Sequence, residues 1–417
     1  MINESKIKLK HSVSLRKERV EGLENSRPYI GLEHIESSSG RLLISPLENG
    51  DLPDEMAEAG ESLCNLFEPG DVLFGKLRPY LAKAWVANFS GRCTTELIVL
   101  IPKLIDPYYL KYNFLEKELL DAITGSSFGS KMPRADWGFI GDQYIFFPPI
   151  DIQRRIASYL DRETTRIDGL ISAKERLITL LAEKRQALIT QAVTRGFDQE
   201  IKMKHAGVEW IGEVPDGWME IRVKYLGDIF YGLSQPPGYH ADGLPLVRAT
   251  NVYRGEIRKE GLVFVNEDDL PESKKVILKT GDIIIVRSGA YTADSALVTE
   301  EWEGAVAGFD MVFKPNKRVN PNFLAYVLLS PYVLESQLIP MSVRAAQPHL
   351  NAEELGSTIV VLPPSVDEQF AIIQCLEKKI SKLDALRVAN TKSIELLKER
   401  RKALISAAVT GQIEITD

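Results

Sequence analysis

The sequence predicts an α+β fold: two globular domains separated by two long antiparallel coiled-coil helices, laid out as a pseudo-twofold internal repeat. Three observations carry this. Residues 153–194 and 369–410 align without a gap, with roughly two-fifths of their positions identical, which marks a repeated unit. Apolar residues in each copy recur at the steps of a two-helix seam. The segments before the two copies show the same order of strand, turn and helix signals, in a much more diverged form.

Each repeated stretch is bounded as a helix should be. Pro148-Pro149 and Pro363-Pro364 precede the copies, and both close on Ala-Val-Thr with Gly196 or Gly411 just beyond. In the first copy the seam reads Ile156, Leu160, Ile167, Leu170, Leu177, Leu181 and Leu188. In the second it reads Ile372, Leu376, Leu383, Leu386, Leu397 and Leu404. The apolar stripe is narrow and flanked by charge, as a contact between two helices requires. Each copy is the natural partner of the other. Polar residues interrupt the seam at matching places: Glu163 and Lys379, Lys174 and Asn390, Lys184 and Arg400. Such interruptions cost stability and fix register. A weak point is expected near Thr164 and Ser381.

A chain of 417 residues exceeds one hydrophobic core, so at least two domains are expected. Hydrophobic content of 44% and charged content of 26% are ordinary for a globular protein. No apolar run has transmembrane length and the first residues hold no apolar export segment, so a cytoplasmic location without a membrane partner is expected. Cys64, Cys93 and Cys375 are scattered and odd in number, which suggests neither a disulfide framework nor a metal site. The formal net charge of −7 does not announce nucleic-acid binding. The acidic excess is local, however: Glu48, Asp51, Asp54, Glu55, Glu58, Glu61 and Glu68 crowd one stretch.

In chain order, residues 1–148 form the first domain. Strands are expected at 28–32, after the turn at Gly70-Asp71, at 93–101 and at 143–147. A proline-initiated helix is expected over 107–120, and a polar loop over 125–138. Residues 149–200 form the first helical spacer. Residues 201–362 form the second domain, which opens on the turn-rich 209–218. There Pro245 to Arg248 echoes Pro28 to Gly31, Gly281-Asp282 echoes Gly70-Asp71, residues 321–329 repeat the helix, and 358–362 repeat the last strand. Residues 363–417 form the second spacer.

No catalytic constellation stands out, and neither catalytic nor metal-ligating residues are assigned. There is no phosphate loop, no H-E-x-x-H and no nucleophile elbow, and the five histidines are far apart in sequence. The Asn-Pro-Pro-aromatic tetrad of amino-methyltransferases is also missing. What remains are basic residues with aromatic and amide neighbours in expected loops. In the first domain these are Lys76, Arg78 and Tyr80, then Lys131, Arg134 and Trp137. In the second they are Arg248, Asn251, Tyr253 and Arg254, then Arg287 and Tyr291, then Arg344, Gln347 and His349. Arginine pairs bidentately with guanine, and asparagine or glutamine with adenine, in the major groove. Lysine holds phosphates and sets position. Clusters at corresponding places in two diverged domains point to double-stranded DNA.

Together these features resemble the specificity subunit of type I restriction-modification systems. The resemblance spans the chain. It is densest in residues 71–84 (DVLFGKLRPYLAKA) with 93–96, in 210–218 (WIGEVPDGW) and in the two helical copies. It implies two target-recognition domains, each reading half of a split DNA target, and helices that act as spacer and as docking surface for two methyltransferase subunits. It also implies restriction/translocase subunits as partners, no catalytic centre on this chain, and an S-adenosylmethionine site on the methyltransferase. Arg154, Arg176, Glu183, Arg185, Lys398 and Arg401 are candidates for the methyltransferase contact. The second domain has Arg287-Ser288-Gly289-Ala290-Tyr291 where the first has Lys76-Leu77-Arg78-Pro79-Tyr80, so base contacts do not transfer between them. A helical run of about 30 residues rises roughly 45 Å, on the order of 13 base pairs of duplex. Two rival readings are a self-contained DNA methyltransferase and a coiled-coil scaffold joining two protein-binding domains. Cofactor binding by the isolated chain would favour the first, and absence of salt-dependent DNA affinity the second.

Overall fold

The structure, a computed structural model, describes residues 6–21, 27–43, 63–129, 131–198, 200–208, 210–270, 276–343, 347–413 and 415. The acidic residues Glu48 to Glu61 and the candidate Arg344 lie outside them. The fold is α+β, and the chain forms two compact units. Residues 1–175 with 391–417 make one, and residues 176–390 make the other. Each long helix therefore starts in one unit and ends in the other.

In the first unit, Val13–Leu15, Leu97–Pro102, Val72–Gly75 and Ala84–Val86 form an antiparallel four-stranded sheet in that order. A second sheet runs Arg19–Glu21, Leu63–Phe67, Gly91–Thr94 and Tyr29–Ile30, the last pair parallel. The strand expected over 93–101 is two strands, because the chain turns at Thr95-Glu96 and passes from one sheet to the other. The helix expected over 107–120 is likewise two, Pro107–Phe114 and Lys117–Gly125. Glu116 re-caps the second: its buried carboxylate accepts from the N–H groups of Glu118 and Leu119 and from the Ser406 hydroxyl.

The second unit repeats this plan. Gly227–Tyr231, Met311–Pro315, Ile283–Ile285 and Ser295–Leu297 form the antiparallel sheet. Leu244–Val247 lies parallel to Val306–Ala307, as Tyr29–Ile30 lies to Gly91–Thr94. Pro321 starts a helix after the Asn320 cap, as Pro107 does after Asp106. A buried glutamine at the start of each long helix ties it to that cap: Gln153 Oε1 accepts from Asp106 N at 2.9 Å, and Gln369 Oε1 accepts from Asn320 N at 2.7 Å.

The long helices run unbroken over Ile150–Arg195 and Val366–Val409. The weak point expected at Thr164 is instead a join: its hydroxyl donates to Leu160 O, and Tyr112 reaches both that hydroxyl and Asp161. The helices are antiparallel within each unit. In the first, Asp168 meets Arg401 while Arg155 meets Ile415 O. In the second, Arg185 faces Asp384 while the Phe197 ring lies under Lys379.

The helix ends belong to the domain cores. Ile156, Leu160, Ile405 and Val409 pack into the first unit with Tyr109 and Phe114. Ile189, Val193, Ile372 and Leu376 pack into the second with Trp218 and Phe323.

The seam differs from the expected one in part. Ile156, Leu160, Ile167, Leu181, Ile372 and Leu376 are buried, and Leu188, Leu383, Leu397 and Leu404 are partly so. Leu170, Leu177 and Leu386 are 44%, 41% and 52% exposed. In the first helix the stripe runs instead through buried Thr164 and Ile171 and half-buried Ile178 and Arg185, one residue on from Leu170 and Leu177. A count of leucines alone steps over the polar members of the stripe and drifts to the neighbouring row. For the same reason the buried arginine is Arg401 rather than Arg400, which is exposed, as is Lys184. Lys174 and Asn390 do sit half-buried on the stripe.

Candidate nucleic-acid interface

The loops that carry the basic clusters are built the same way in both units. Each follows a glycine in left-handed geometry, Gly70 (φ 88°) or Gly281 (φ 92°), where a side chain would strain the turn. The next residue, Asp71 or Asp282, is buried and holds that turn through a backbone N–H, from Glu68 and Lys279 respectively. Each aspartate also takes a cation: Arg16 Nε at 2.7 Å on Asp71, and Lys314 Nζ at 2.9 Å on Asp282. A buried strand follows, and the chain leaves it at Lys76 or Arg287.

Here a second loop is zipped on. In the first unit Ala135 N donates to Lys76 O at 2.9 Å and Arg78 N to Pro133 O at 2.8 Å. In the second unit Leu350 N donates to Arg287 O at 2.8 Å, and Ser288 bridges to His349. Arg78, Ala82 and Ala293 adopt positive φ, so both loops curl back under the same constraint. The structure thus brings Lys76, Arg78, Tyr80, Lys131 and Arg134 into one loop pair. It brings Arg287, Tyr291, Gln347 and His349 into its counterpart.

The chemistry of the two pairs differs. In the first, Arg134 Nε is held by the Glu96 carboxylate at 3.0 Å, while Arg78 and the half-exposed Tyr80 project outward. Beside it lies a groove of about 820 Å3 lined by Lys17, Arg19, Lys76, Phe128, Arg134 and Trp137. Lys17 and Arg19 are additions that loop reasoning did not single out. Their signal is the short run Arg16-Lys17-Glu18-Arg19 ahead of a strand.

In the second pair the Arg287 guanidinium lies between the Tyr231 ring at 4.4 Å and the Phe309 ring at 4.2 Å. Its Nη2 donates to His349 Nε2 at 3.2 Å. Its backbone N–H donates to Asp310 Oδ1 at 3.2 Å, and burial pushes the Asp310 carboxyl up to about 6 against that pull.

Tyr253 and Tyr291 meet edge to face at 5.9 Å, with Arg258 over the Tyr253 ring at 4.0 Å. Arg258 therefore joins this cluster, and Arg254 flanks it at 5.8 Å.

Asn251 is placed differently from its expected outward role. It is fully buried, accepts from Arg248 N and donates to the carbonyls of Arg258 and Glu260. With its amide spent, it shapes the loop. His34 does the same in the first unit, where Nδ1 accepts from Gly31 N at 3.1 Å. Arg248 commits Nη2 to Gly261 O at 2.6 Å and lies over Tyr239.

On the helices, Arg401 also departs from an outward-facing role. It is 8% exposed, with Nε on Asp168 at 2.9 Å and Nη1 on Ser38 O at 2.7 Å. Its repeat counterpart Arg185 is half-exposed and stands 3.8 Å from Asp384. Arg154, Arg176, Glu183 and Lys398 are exposed.

Comparison with known proteins places this architecture. Residues 215–396 match the type I restriction modification DNA specificity domain. The MjaVIII specificity subunit of Methanocaldococcus jannaschii is 24% identical over 325 residues, 75% of this chain and 72% of that one. The EcoBI specificity subunit of Escherichia coli is 22% identical over 280 residues, 65% of this chain and 59% of that one. A chain from a solved type I R-M system shares the fold with a TM-score of 0.76 at 18% identity, over 98% of each chain. The HsdS subunit from Thermoanaerobacter tengcongensis does so at 0.59 and 19% identity, over 98% of this chain and 97% of that one. Among the described residues no single helix is long and apolar enough to cross a membrane. Two units on one plan, diverged loops of one construction and these likenesses agree: residues 215–396 carry a type I restriction modification DNA specificity domain, and the chain as a whole is similar to type I specificity subunits.

Proposed function

We propose that the chain is the non-catalytic reader of a two-part DNA target. Each globular domain, within residues 1–148 and 201–362, lays its paired loops on one half of the target. The helical segments within 149–200 and 363–417 set the unread gap and carry two methyltransferase subunits, to which restriction/translocase subunits add. S-adenosylmethionine binds on the methyltransferase, not here. One observation supports this best: two loop pairs of similar backbone construction present different side chains, Lys76, Arg78 and Arg134 against Arg287, Gln347 and His349. A shared frame with exchanged tips is what reading two different sequences with one scaffold requires.

The test is a domain exchange. Residues 1–148 are replaced by the first domain of another family member, and modified sites are mapped in a host that expresses the partner methyltransferase. One half-sequence changes and the other stays. If both change together, or neither does, the two-reader assignment is wrong.

A further inference from the structure

We propose that Arg287 reads a guanine in the half-target of the second domain, through a guanidinium whose plane is fixed before DNA arrives. This rests on the DNA-reading function proposed above and adds a base and a residue to it.

The observations are geometric. The guanidinium carbon of Arg287 lies over the Tyr231 ring at 4.4 Å and over the Phe309 ring at 4.2 Å, and both aromatic residues are 45% exposed, so the cluster stands at the surface. Tyr231 is itself fixed, since its hydroxyl accepts from Ala352 N at 2.9 Å. His349 holds Nη2 on one side. Among the described residues no ion pair holds the Arg287 side chain, and its Nε is buried without a hydrogen-bond partner. Asp310 spends Oδ1 on the Arg287 backbone and keeps Oδ2 buried without a partner. The fork is thus oriented by the two rings and by His349; Nε is buried, and among the described residues Nη1 and the second N–H of Nη2 are left to meet a base. Arg248 also has one Nη2 bond, to Gly261 O, but lies over a single ring, that of Tyr239, whereas Arg287 has two.

A phosphate contact needs charge and tolerates movement, so lysine serves it well. A flat fork fixed between two rings gives up that tolerance and gains a match to two coplanar acceptors. The O6 and N7 edge of guanine is the base edge that offers them in the major groove. Prior ordering also removes side-chain entropy that binding would otherwise have to overcome. Tyr231 and Phe309 are then positioning residues for the reader.

The test selects bound duplexes from a randomised pool with the full chain in its methyltransferase complex, for the wild type, Arg287→Lys and Phe309→Ala. The wild type should require a guanine at one position of one half-target. Arg287→Lys, which keeps the charge, should lower discrimination at that position alone by roughly ten- to hundredfold. Phe309→Ala, which frees the plane, should lower it at the same position by less. Unchanged selection at the other positions of that half-target reports that the second domain of each variant is folded. Equal weakening on all sequences makes Arg287 a phosphate contact and overturns the proposal, as does unaltered guanine preference in both variants. If the wild type selects no sequence at all, the DNA-reading function fails together with it.

Discussion

Arg401 and Arg185 occupy the same position in the two helical copies, yet their surroundings set different energies. Arg401 is buried with Asp168 and a backbone carbonyl, so removing it strands a carboxylate that is only 17% exposed. Arg401→Ala should cost about 2–4 kcal/mol in urea unfolding. Arg185→Ala breaks a half-exposed pair at 3.8 Å and should cost under about 0.5 kcal/mol. Asp310 gives a pH signature. Its carboxyl titrates near 3.8 when unfolded and at about 6 when folded, so across that window the folded state binds more protons. Stability conferred by the protonated acid is therefore full below the lower value and is lost as pH rises through about 6, by about 2–3 kcal/mol. Asp310→Asn should abolish this slope; unfolding midpoints at pH 4.5, 5.5, 6.5 and 7.5 that fall in parallel for both proteins would contradict the assignment. Residues of this kind were hard to read in sequence. Asn251 and His34 are polar loop residues like any reader. Only the fold reveals that their hydrogen bonds are already spent on the loop they sit in.

The seam is the feature of the helices most open to test. Ile171 and Leu181 are buried on the stripe, at 9% and 8% exposed, whereas Leu170 and Leu177 stand beside it. Ile171→Ala and Leu181→Ala should each cost about 2–4 kcal/mol in unfolding free energy. Leu170→Ala and Leu177→Ala should stay within about 1 kcal/mol, and the reverse order would restore the leucine-only register. Helix existence, length and repeat were plain from periodicity and from the proline and glycine bounds. The register was not, because Thr164, Lys174 and Arg185 occupy stripe positions and apolar counting passes over them. The split of the helix expected over 107–120 was hidden for a related reason: Glu116 looks like a helical residue and becomes a cap only because Ser406 and the backbone turn meet it. The turn at Thr95-Glu96 was masked by β-branched residues on both sides.

For the whole molecule, the duplicated plan was legible because Gly70-Asp71 and Gly281-Asp282 mark the same buried turn, and Pro107 and Pro321 the same helix start. The proposed reading loops were legible as clusters but not as pairs, since the zipping of 76–78 to 133–135 and of 287–288 to 349–350 joins residues far apart in the chain. The tightest test of two readers held at a set distance is to lengthen the helices alone. One heptad is added within 173–185 and one within its counterpart 389–401, and modified sites are mapped with the partner methyltransferase. Seven helical residues add about 10 Å, on the order of three base pairs. Both half-sequences should persist with the unread gap widened by about that amount; an unchanged gap, or an altered half-sequence, would contradict it.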